Sequence, residues 1–467
     1  PEPEPELPDF PGEFYEMIDV AVWTSTTQER IQGSDTEVSD WFGYSMAISG
    51  TTAIIGAPQE NTGGDKAGAA YIFEYSGTTW TQVQKIQASD KAASTTARFG
   101  WSVAISGTTA IVGAHTEDTG GSDAGSAYIF EKVGGTWGNA VDGETTYRTE
   151  TQKIQADDKA DYDNFGWSVA ISGTTAIVGA KGSDTGGISA GAAYIFEYVG
   201  TTWTQVKKIQ ASDNAANTTA EFGYSVAIDG TTAIVGAQGA DTPYPNSGAA
   251  YIFERNGDGT WNTTQTQKIT ASDPAGSNNF GWSVAISGTT AIVGASKEDT
   301  GGANAGAAYI FEHDGSNWSQ VTKIQASDRQ TSDKFGWSVS IDGNYAIVGA
   351  YNEDTGASNA GAAYIFKKVD GTWGNAVDGE TTYRTQTLKI QASNKGENDW
   401  FGSSVAISGA TAIVGAHQED TGGSDAGSAY IFKSGTIQQL STTPTLKAPA
   451  TVTLDGTTLL IENNMGE

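Results

Sequence analysis

Two kinds of side chain that could bind a ligand recur at fixed places in this sequence. An aromatic residue directly follows a Phe-Gly pair in six places, and carboxylates lie in several Gly-rich acidic loops. Aromatic rings can stack on sugars or hold extended peptides, whereas carboxylates and backbone carbonyls are the ligands of calcium. The ligand-binding candidates are Tyr44, Trp101, Trp167, Tyr224, Trp282 and Trp337, together with Tyr244 of the exceptional Pro243-Tyr244-Pro245 sequence, and the metal candidates are Asp118, Asp184, Asp299, Asp354 and Asp420.

Each set also has a structural interpretation. Large rings at one repeated position are typical of packing between neighbouring structural units. The sequence Asp-Thr-Gly-Gly is typical of a turn that an Asp side chain caps through hydrogen bonds. Because both sets recur so regularly, the structural interpretation is favoured for each. Sugar or peptide binding by the rings, and calcium binding by the loops, remain the alternatives.

The sequence carries no catalytic motif. Its three histidines, His115, His313 and His417, belong to no motif, and there is no Ser-His-Asp order, HExxH, Gly-x-Ser-x-Gly or phosphate-binding loop. Carboxylates do occur in pairs, but they recur with the repeat, whereas an active site would interrupt it. We therefore predict that the protein is not an enzyme, and calcium is the one cofactor that its loops suggest.

The composition excludes several classes of partner. The chain of 467 residues has 55 acidic and 25 basic residues and a net charge of −30, and such a surface repels the phosphate backbone of nucleic acids. No apolar run approaches the roughly 20 residues of a membrane helix, so no membrane span is predicted. The sequence contains no cysteine, which excludes disulfides and is compatible with a secreted or cell-surface protein.

The elements that position these side chains belong to one repeated unit. The stretch FGWSVAISGTTAIVGA at 99–114 occurs seven times with small changes, at intervals of 55 to 66 residues. Its alternating apolar residues and its central Ser-Gly or Asp-Gly turn predict a hairpin of two strands, A and B. An acidic loop, a Tyr-centred strand C and a Trp-led strand D, for example 80–86 or 261–269, complete the unit. The seven copies begin at Phe42, Phe99, Phe165, Phe222, Phe280, Phe335 and Phe401.

Four strands per unit and a period of this length predict an all-β fold, a seven-bladed β-propeller of four-stranded antiparallel blades. Only six D strands lie between the seven A–B–C triplets, and residues 23–31 match a D strand. The N-terminal strand is therefore expected to complete the last blade and close the ring. The predicted boundaries are a Pro/Glu-rich extended arm at 1–16, the propeller at 17–435, and a C-terminal tail at 436–467 with a hairpin turn at Asp455-Gly456.

These units resemble the FG-GAP repeat of the seven-bladed propellers in integrin α subunits and in many secreted proteins. Phe-Gly stands at all seven starts, and the full Gly-Ala-Pro occurs once, at 56–58. The resemblance covers 17–433 and implies the same fold, but it says little about function because a propeller is a scaffold. In integrins the A–B turn usually holds calcium, whereas the turns here are short and carry at most one carboxylate, Asp229 or Asp342. Integrin-type calcium sites are therefore not expected.

In such a blade the B–C and D–A loops share one face, and this face gathers the longest and most acidic loops. We predict a non-catalytic, extracellular or cell-surface propeller that acts in adhesion or recognition and binds a protein or glycan through this loop-rich acidic face. One alternative is a structural subunit of a surface assembly that self-associates through its terminal segments. Another is a carbohydrate-binding propeller that uses the aromatic set.

Overall fold

A computed structural model describes residues 17–91, 96–213, 219–377, 379–440, 451–454 and 457–460. All regular elements in these ranges are β-strands, and none of the described residues forms a helix that could cross a bilayer. One compact unit spans Thr24–Lys433, and the remaining described residues belong to a second unit. The seven blades are described within the first unit, and of their strands only the ends of two, 17–23 and 434–440, belong to the second.

The first four blades follow one another along the chain after strand β1 (Met17–Ile31). Blade one consists of β2 (Ser45–Ser49), β3 (Thr52–Ala57), β4 (Ala69–Tyr75) and β5 (Trp80–Ile86). Blade two consists of β6 (Ser102–Ser106), β7 (Thr109–Ala114), β8 (Ser126–Val133), β9 (Thr136–Trp137) and β10 (Gln152–Ile154). Blade three consists of β11 (Phe165–Ser172), β12 (Thr175–Ala180), β13 (Ala192–Val199) and β14 (Thr202–Ile209). Blade four consists of β15 (Ser225–Asp229), β16 (Thr232–Ala237), β17 (Ala249–Glu254) and β18 (Gln267–Ile269).

The last three blades include the longest insertion and the closing strand. Blade five consists of β19 (Ser283–Ser287), β20 (Thr290–Ala295), β21 (Ala307–His313) and β22 (Trp318–Ile324). Blade six consists of β23 (Ser338–Asp342), β24 (Tyr345–Ala350), β25 (Ala362–Val369), β26 (Thr372–Trp373) and β29 (Leu388–Ile390), and its insertion holds β27 (Asn375–Val377) and β28 (Glu380–Thr385). Blade seven consists of β30 (Ser404–Ser408), β31 (Thr411–Ala416), β32 (Ser428–Leu440) and β1.

Burial along the strands follows their position in the blade. Strand B is buried along almost its whole length, as in β7, because other blades cover both of its faces. Strand D alternates between buried and exposed residues, as in β5, because it lies at the outer edge of the sheet. The A–B hairpins have a two-residue turn, shown by the pairing of Ser106 with Thr109 in β6 and β7. The predicted strand types and their antiparallel order are confirmed.

The hydrophobic core lies between neighbouring blades. Ile54 and Ile72 of blade one pack with Phe99, Val103 and Tyr128 of blade two in one buried cluster. The Phe of each Phe-Gly pair is at most 1% exposed. Its ring packs at a steep angle against the Tyr of strand C, edge to face in six blades and tilted in blade six, at a centroid distance of 5.4–5.6 Å. The Phe is therefore the wedge that joins each blade to the preceding one.

The ring closes as predicted, with the N-terminal strand as the outermost strand of blade seven. In that blade the strand order is β1-β32-β31-β30. At the centre, each A strand contacts the A strands of both neighbouring blades, and β30 contacts β2. A Ser hydroxyl in or just before each A strand donates to the carbonyl of the next blade's Phe-Gly glycine at 2.6–2.9 Å. Seven such bonds form a closed circuit around the described ring.

The two long C–D insertions add backbone pairing between blades. In blade six, Arg384 of β28 pairs in parallel with Ile324 at the end of β22 in blade five. In blade two, Arg148 pairs in parallel with Ile86 at the end of β5 in blade one. Each insertion thus extends the outer edge of the preceding blade.

Part of the terminal segments can also be described. Strands β33 (Thr451–Leu454) and β34 (Thr457–Leu460) pair antiparallel as a hairpin in the second unit. The predicted turn at Asp455-Gly456 and the predicted arm at 1–16 lie outside the described residues.

Candidate functional site

A cavity of ≈ 410 Å³ lies at the centre of the ring, at the end of the A strands opposite the A–B turns. It therefore opens on the face formed by the B–C and D–A loops. Its volume falls within the range of small-ligand pockets, roughly 300–1,000 Å³. Six of the seven predicted ligand-binding residues line it, namely Tyr44, Trp101, Trp167, Tyr224, Trp282 and Trp337.

The rings around this cavity form a continuous circuit. Among the described residues, nine aromatic rings follow one another with centroid distances of 4.5–5.6 Å. The circuit runs Tyr44, Trp101, Trp167, Tyr224, Trp282, Trp337, Tyr351, Trp400, His417 and back to Tyr44. We call these nine residues the aromatic ring. All except the buried His417 are half-buried, so they contact one another and still present surface to the cavity.

The Phe-Gly sequence explains why these side chains converge. The Phe is held between blades, and its N–H donates to a carbonyl in the preceding blade's B–C loop, as Phe99 does to Ala67 at 3.1 Å. The Gly lets the two backbones approach, since a Cβ at Gly100 would lie 2.3 Å from the carbonyl oxygen of Ala69. The next residue is therefore fixed at the start of strand A, beside the central axis, in each of the seven blades.

The residue before each Phe has an unusual backbone, and in three units it also lines the cavity. Its φ angle is between 52° and 62° in all seven units. This left-handed conformation is costly for residues other than glycine, at about 1 kcal/mol or more each. These positions hold Trp41, Arg98, Asn164, Glu221, Asn279, Lys334 and Trp400. The left-handed backbone is thus repeated at this position in every unit, whereas the residue type differs from unit to unit.

Blade seven departs from the repeat inside the cavity. It has Ser403 where the other units have an aromatic residue, and the Ser403 hydroxyl lies 2.9 Å from Nδ1 of His417. Burial lowers the pKa of His417 to about 3, so its imidazole is neutral at neutral pH. His115 holds the same repeat position in blade two, and burial, Arg98 and Lys181 lower its pKa to about 3 as well. The two histidines therefore act as neutral polar groups beside the rings.

The predicted metal residues all lie in B–C loops, where each side chain closes its own loop. One carboxylate oxygen accepts the N–H of the residue five positions later, at 2.7–2.9 Å. These carboxylates are Asp118, Asp184, Asp299, Asp354 and Asp420. In the described ranges, no three His, Cys, Asp or Glu side chains gather into a group that could hold a metal ion. Calcium binding by these loops stays the untested alternative to turn capping.

The acidic D–A loops are used to hold the blades together. The Asp90 carboxylate accepts the Tyr128 hydroxyl at 2.9 Å and the Lys153 ammonium at 2.6 Å. The same Tyr-Asp-Lys contact occurs in blades one to six, and in blade seven Asn394 accepts from Tyr430. Much of the negative charge on this face is therefore paired within the protein.

One predicted residue lies elsewhere, and several cavity residues were not predicted as site residues. Tyr244 is 51% exposed and does not line the cavity. The additional residues lining it are Trp41, Arg98, Tyr351, Trp400, Ser403 and His417. They precede Phe-Gly, follow Gly-Ala, or replace the repeated aromatic residue. Their variation between units was the signal in the sequence that could have identified them.

Comparison with known proteins identifies the repeat. The model of the FG-GAP repeat family matches residues 25–73, 80–130, 149–196, 203–253, 263–311, 318–366 and 385–432. No curated protein matches the sequence. Among solved structures, the chain is similar to a functionally unknown protein from Desulfotomaculum acetoxidans DSM 771, with 10% sequence identity and a TM-score of 0.45. That match covers 79% of this chain and 98% of the other.

Proposed function

Because this chain belongs to the FG-GAP repeat family, we propose that it is a non-catalytic recognition module of an extracellular or cell-surface protein. Its ligand binds on the loop-rich face, in the cavity that the aromatic ring surrounds. FG-GAP repeats typify extracellular proteins, which supports the location. An adhesive role follows if the ligand belongs to another surface.

The single observation that carries this proposal is the difference in burial between the Phe of Phe-Gly and the aromatic residue that follows the pair. The Phe of Phe-Gly is buried in every blade and meets the need for packing between blades. The aromatic residue two positions later is only half-buried, although it lies beside the central axis of the ring. Six rings that converge there and still present surface to a cavity can serve as a binding surface, because they provide large apolar faces within reach of a ligand.

The pattern of repetition gives independent support. The A strands and their Ser-to-Gly hydrogen bonds repeat almost unchanged in all seven blades. The position after Gly-Ala varies: it is Pro58, His115, Lys181, Gln238, Ser296, Tyr351 or His417, of which Tyr351 and His417 line the cavity. The scaffold requires uniform A strands and Ser-to-Gly hydrogen bonds. A specific ligand requires side chains near the cavity that differ from blade to blade.

Of the two predicted ligand classes, the cavity favours a glycan. Flat indole faces present apolar surface to the ring of a sugar, and the neutral polar groups of Ser403 and His417 can exchange hydrogen bonds with sugar hydroxyls. Enclosure by nine rings in ≈ 410 Å³ suits a short oligosaccharide better than a broad protein surface. The alternative role as an assembly subunit depends on the terminal segments, and the residues at 1–16 lie outside the described ranges.

Isothermal titration of the purified chain with a panel of neutral and acidic oligosaccharides tests this proposal. Trp282→Ser is the matched variant, because blade seven already carries Ser403 at the equivalent position and the fold accommodates it there. The variant should weaken binding of any sugar ligand at least tenfold, in line with the loss of one stacking contact. Tyr244→Ala, at the exposed tyrosine outside the cavity, should bind as the parent does. Failure of every sugar to bind, or equal losses in both variants, would overturn the proposal.

A further inference from the structure

Two cationic side chains lie close to neighbouring indoles of the aromatic ring, in a chain whose acidic residues outnumber its basic ones by 55 to 25. Arg98 lines the cavity, with its guanidinium carbon 5.5 Å from the ring centre of Trp101. Lys181 does not itself line the cavity, but it lies against an indole that does, with Nζ 3.7 Å from the ring centre of Trp167. His115 packs between these two indoles, at centroid distances of 4.3 and 4.8 Å. We call Arg98, His115 and Lys181 the basic arc.

Internal carboxylates pair less closely with the basic arc than with the lysines of the D strands. Within the described part of the chain, Arg98 forms no ion pair, and Lys181 has one, to Glu221 at 3.6 Å. By contrast, the Lys residues of the D strands each hold an Asp at 2.5–2.7 Å. The charges that stabilise the fold are thus closely paired, whereas those beside the cavity keep the capacity to bind an anion.

The buried imidazole of the basic arc is also incomplete. His115 is 3% exposed, and its Nδ1 has no hydrogen-bond partner in the described residues. The equivalent His417 is satisfied because Ser403 lies beside it, but blade two has Trp101 at that position. A buried nitrogen without a partner costs free energy, so blade two differs here from blade seven. His115 is not among the residues that line the cavity, and it supports the two indoles that are.

We propose that the ligand is an acidic sugar whose carboxylate or sulfate ester is bound by Arg98 and Lys181, while its ring stacks on Trp101 and Trp167. This inference rests on the proposed function of the cavity. The fork of the guanidinium matches both anionic groups, and a lysine ammonium adds a second charge-assisted hydrogen bond. A cationic ligand is disfavoured on this side, since Arg98 and Lys181 already lie against the indoles and would repel it.

The repeat supplies two substitutions that remove charge without changing the local structure. Arg98→Asn is matched by Asn164 and Asn279, which occupy the same position with the same left-handed backbone. Lys181→Gln is matched by Gln238, which follows Gly-Ala in blade four. Lys207→Gln is the control, because it removes a charge from strand β14 where blade one has Gln84.

The test is isothermal titration of the full chain with three kinds of oligosaccharide: uronate-containing, sulfated and uncharged. An acidic sugar should bind more tightly than its carboxyl-reduced or desulfated counterpart. Arg98→Asn and Lys181→Gln should each weaken that binding roughly 10- to 100-fold, whereas Lys207→Gln should bind as the parent does. Comparison of the uronate and sulfated arms identifies the anionic group.

The outcomes separate this inference from the proposal beneath it. Equal affinity for charged and uncharged sugars, or unchanged binding in both charge variants while Trp282→Ser loses it, would overturn the anionic group and leave a neutral glycan site. Binding of no sugar at all would overturn both. Selective binding of a cationic sugar would overturn the anionic assignment alone.

Discussion

The hydroxyl of Ser404 donates to the carbonyl of Gly43 at 2.6 Å, although 361 residues separate them in the chain. Six equivalent bonds link the other neighbouring blades, and their partners are 53 to 64 residues apart. The first and last blades are thus joined by the same hydrogen bond as every other pair of neighbouring blades. We call the junction between blades seven and one the seam. A substitution that blocks the close approach of the two backbones there tests the closure of the ring directly.

Gly415→Ala should destabilise the protein by about 1–3 kcal/mol or more, because the added methyl would overlap the seam. A Cβ at this position would lie 2.1 Å from the carbonyl oxygen of Gly43. Gly257→Ala is the control, since no atom lies within 4 Å of the place that its added methyl would occupy. Chemical denaturation of both variants measures the difference. An equal stability of the two variants would contradict the close approach at the seam.

Much of the fold could be predicted because the same pattern of strands and turns occurs seven times in the sequence. The periodic A–B hairpin identified the blades, and the missing seventh D strand identified the closure. The D strand of blade four was predicted too long, as 261–269, whereas β18 spans Gln267–Ile269. Ile269 lies eight positions after Trp261, whereas Ile86 lies six positions after Trp80. The two extra residues prevent Trp261 and Ile269 from both pairing with strand C in one continuous register.

The insertions show what the sequence could not reveal. Nothing in their sequence indicates a contact with another blade. In the structure the Arg148 carbonyl accepts the N–H of Gln87 at 3.0 Å, which links blade two to blade one. Parallel pairing between distant segments leaves no periodic pattern in a short loop, because backbone groups of any residue type can make it.

Lys85→Met should cost about 3–5 kcal/mol, because it would leave a buried carboxylate without its partner. Lys85 and Glu60 are each nearly fully buried, and their charged groups lie 3.0 Å apart. Lys208→Met is the matched variant in blade three, where Ser183 replaces that glutamate and the lysine is more exposed. It should cost at most about 1 kcal/mol. Urea denaturation of the two variants gives the comparison, and similar losses would argue against an internal charge network.

Asp333→Asn should make stability less dependent on pH. Burial raises the pKa of Asp333 to about 7 from an ordinary value of 3.8. The folded state therefore holds this proton more tightly than the unfolded state does. Its stabilising contribution is fully present below pH 3.8 and is lost as the pH rises to about 7.

The amide removes this loss, and Asn278 already occupies the equivalent position in another D–A loop. Near pH 8 the variant should be more stable than the parent by about 1–2 kcal/mol, with the difference shrinking towards pH 4. Unfolding free energies measured across that range provide the check. Asp399→Asn should behave similarly over a narrower range, because burial raises the pKa of Asp399 to about 6. A variant that is less stable at every pH would show that the carboxyl has another role.

The site was only partly predictable, for a geometric reason. The six aromatic residues after Phe-Gly share one sequence position, so their convergence follows from the propeller itself. Tyr351 and His417 reach the cavity from the end of strand B, and Trp400 reaches it from the D–A loop. Predicting that these three chain positions meet at one cavity requires the registers of strands A and B, which the sequence does not give.

Calcium should leave the thermal unfolding midpoint unchanged. A carboxylate oxygen of Asp299 already accepts the N–H of Asn304 at 2.7 Å, and the equivalent residues of four other B–C loops do the same. Calcium requires six to eight oxygens, which a single loop carboxylate cannot supply. At a calcium concentration of 100 times the Kd, a calcium site would raise the free energy of unfolding by about 2.7 kcal/mol. Scanning calorimetry with calcium or with EDTA would detect that difference. Asp299→Asn keeps the acceptor oxygen and removes the charge, so it should unfold at nearly the same midpoint in both conditions. A midpoint that rises with calcium in the parent, but not in this variant, would instead establish the loop as a metal site and show that its carboxylate does more than close a turn.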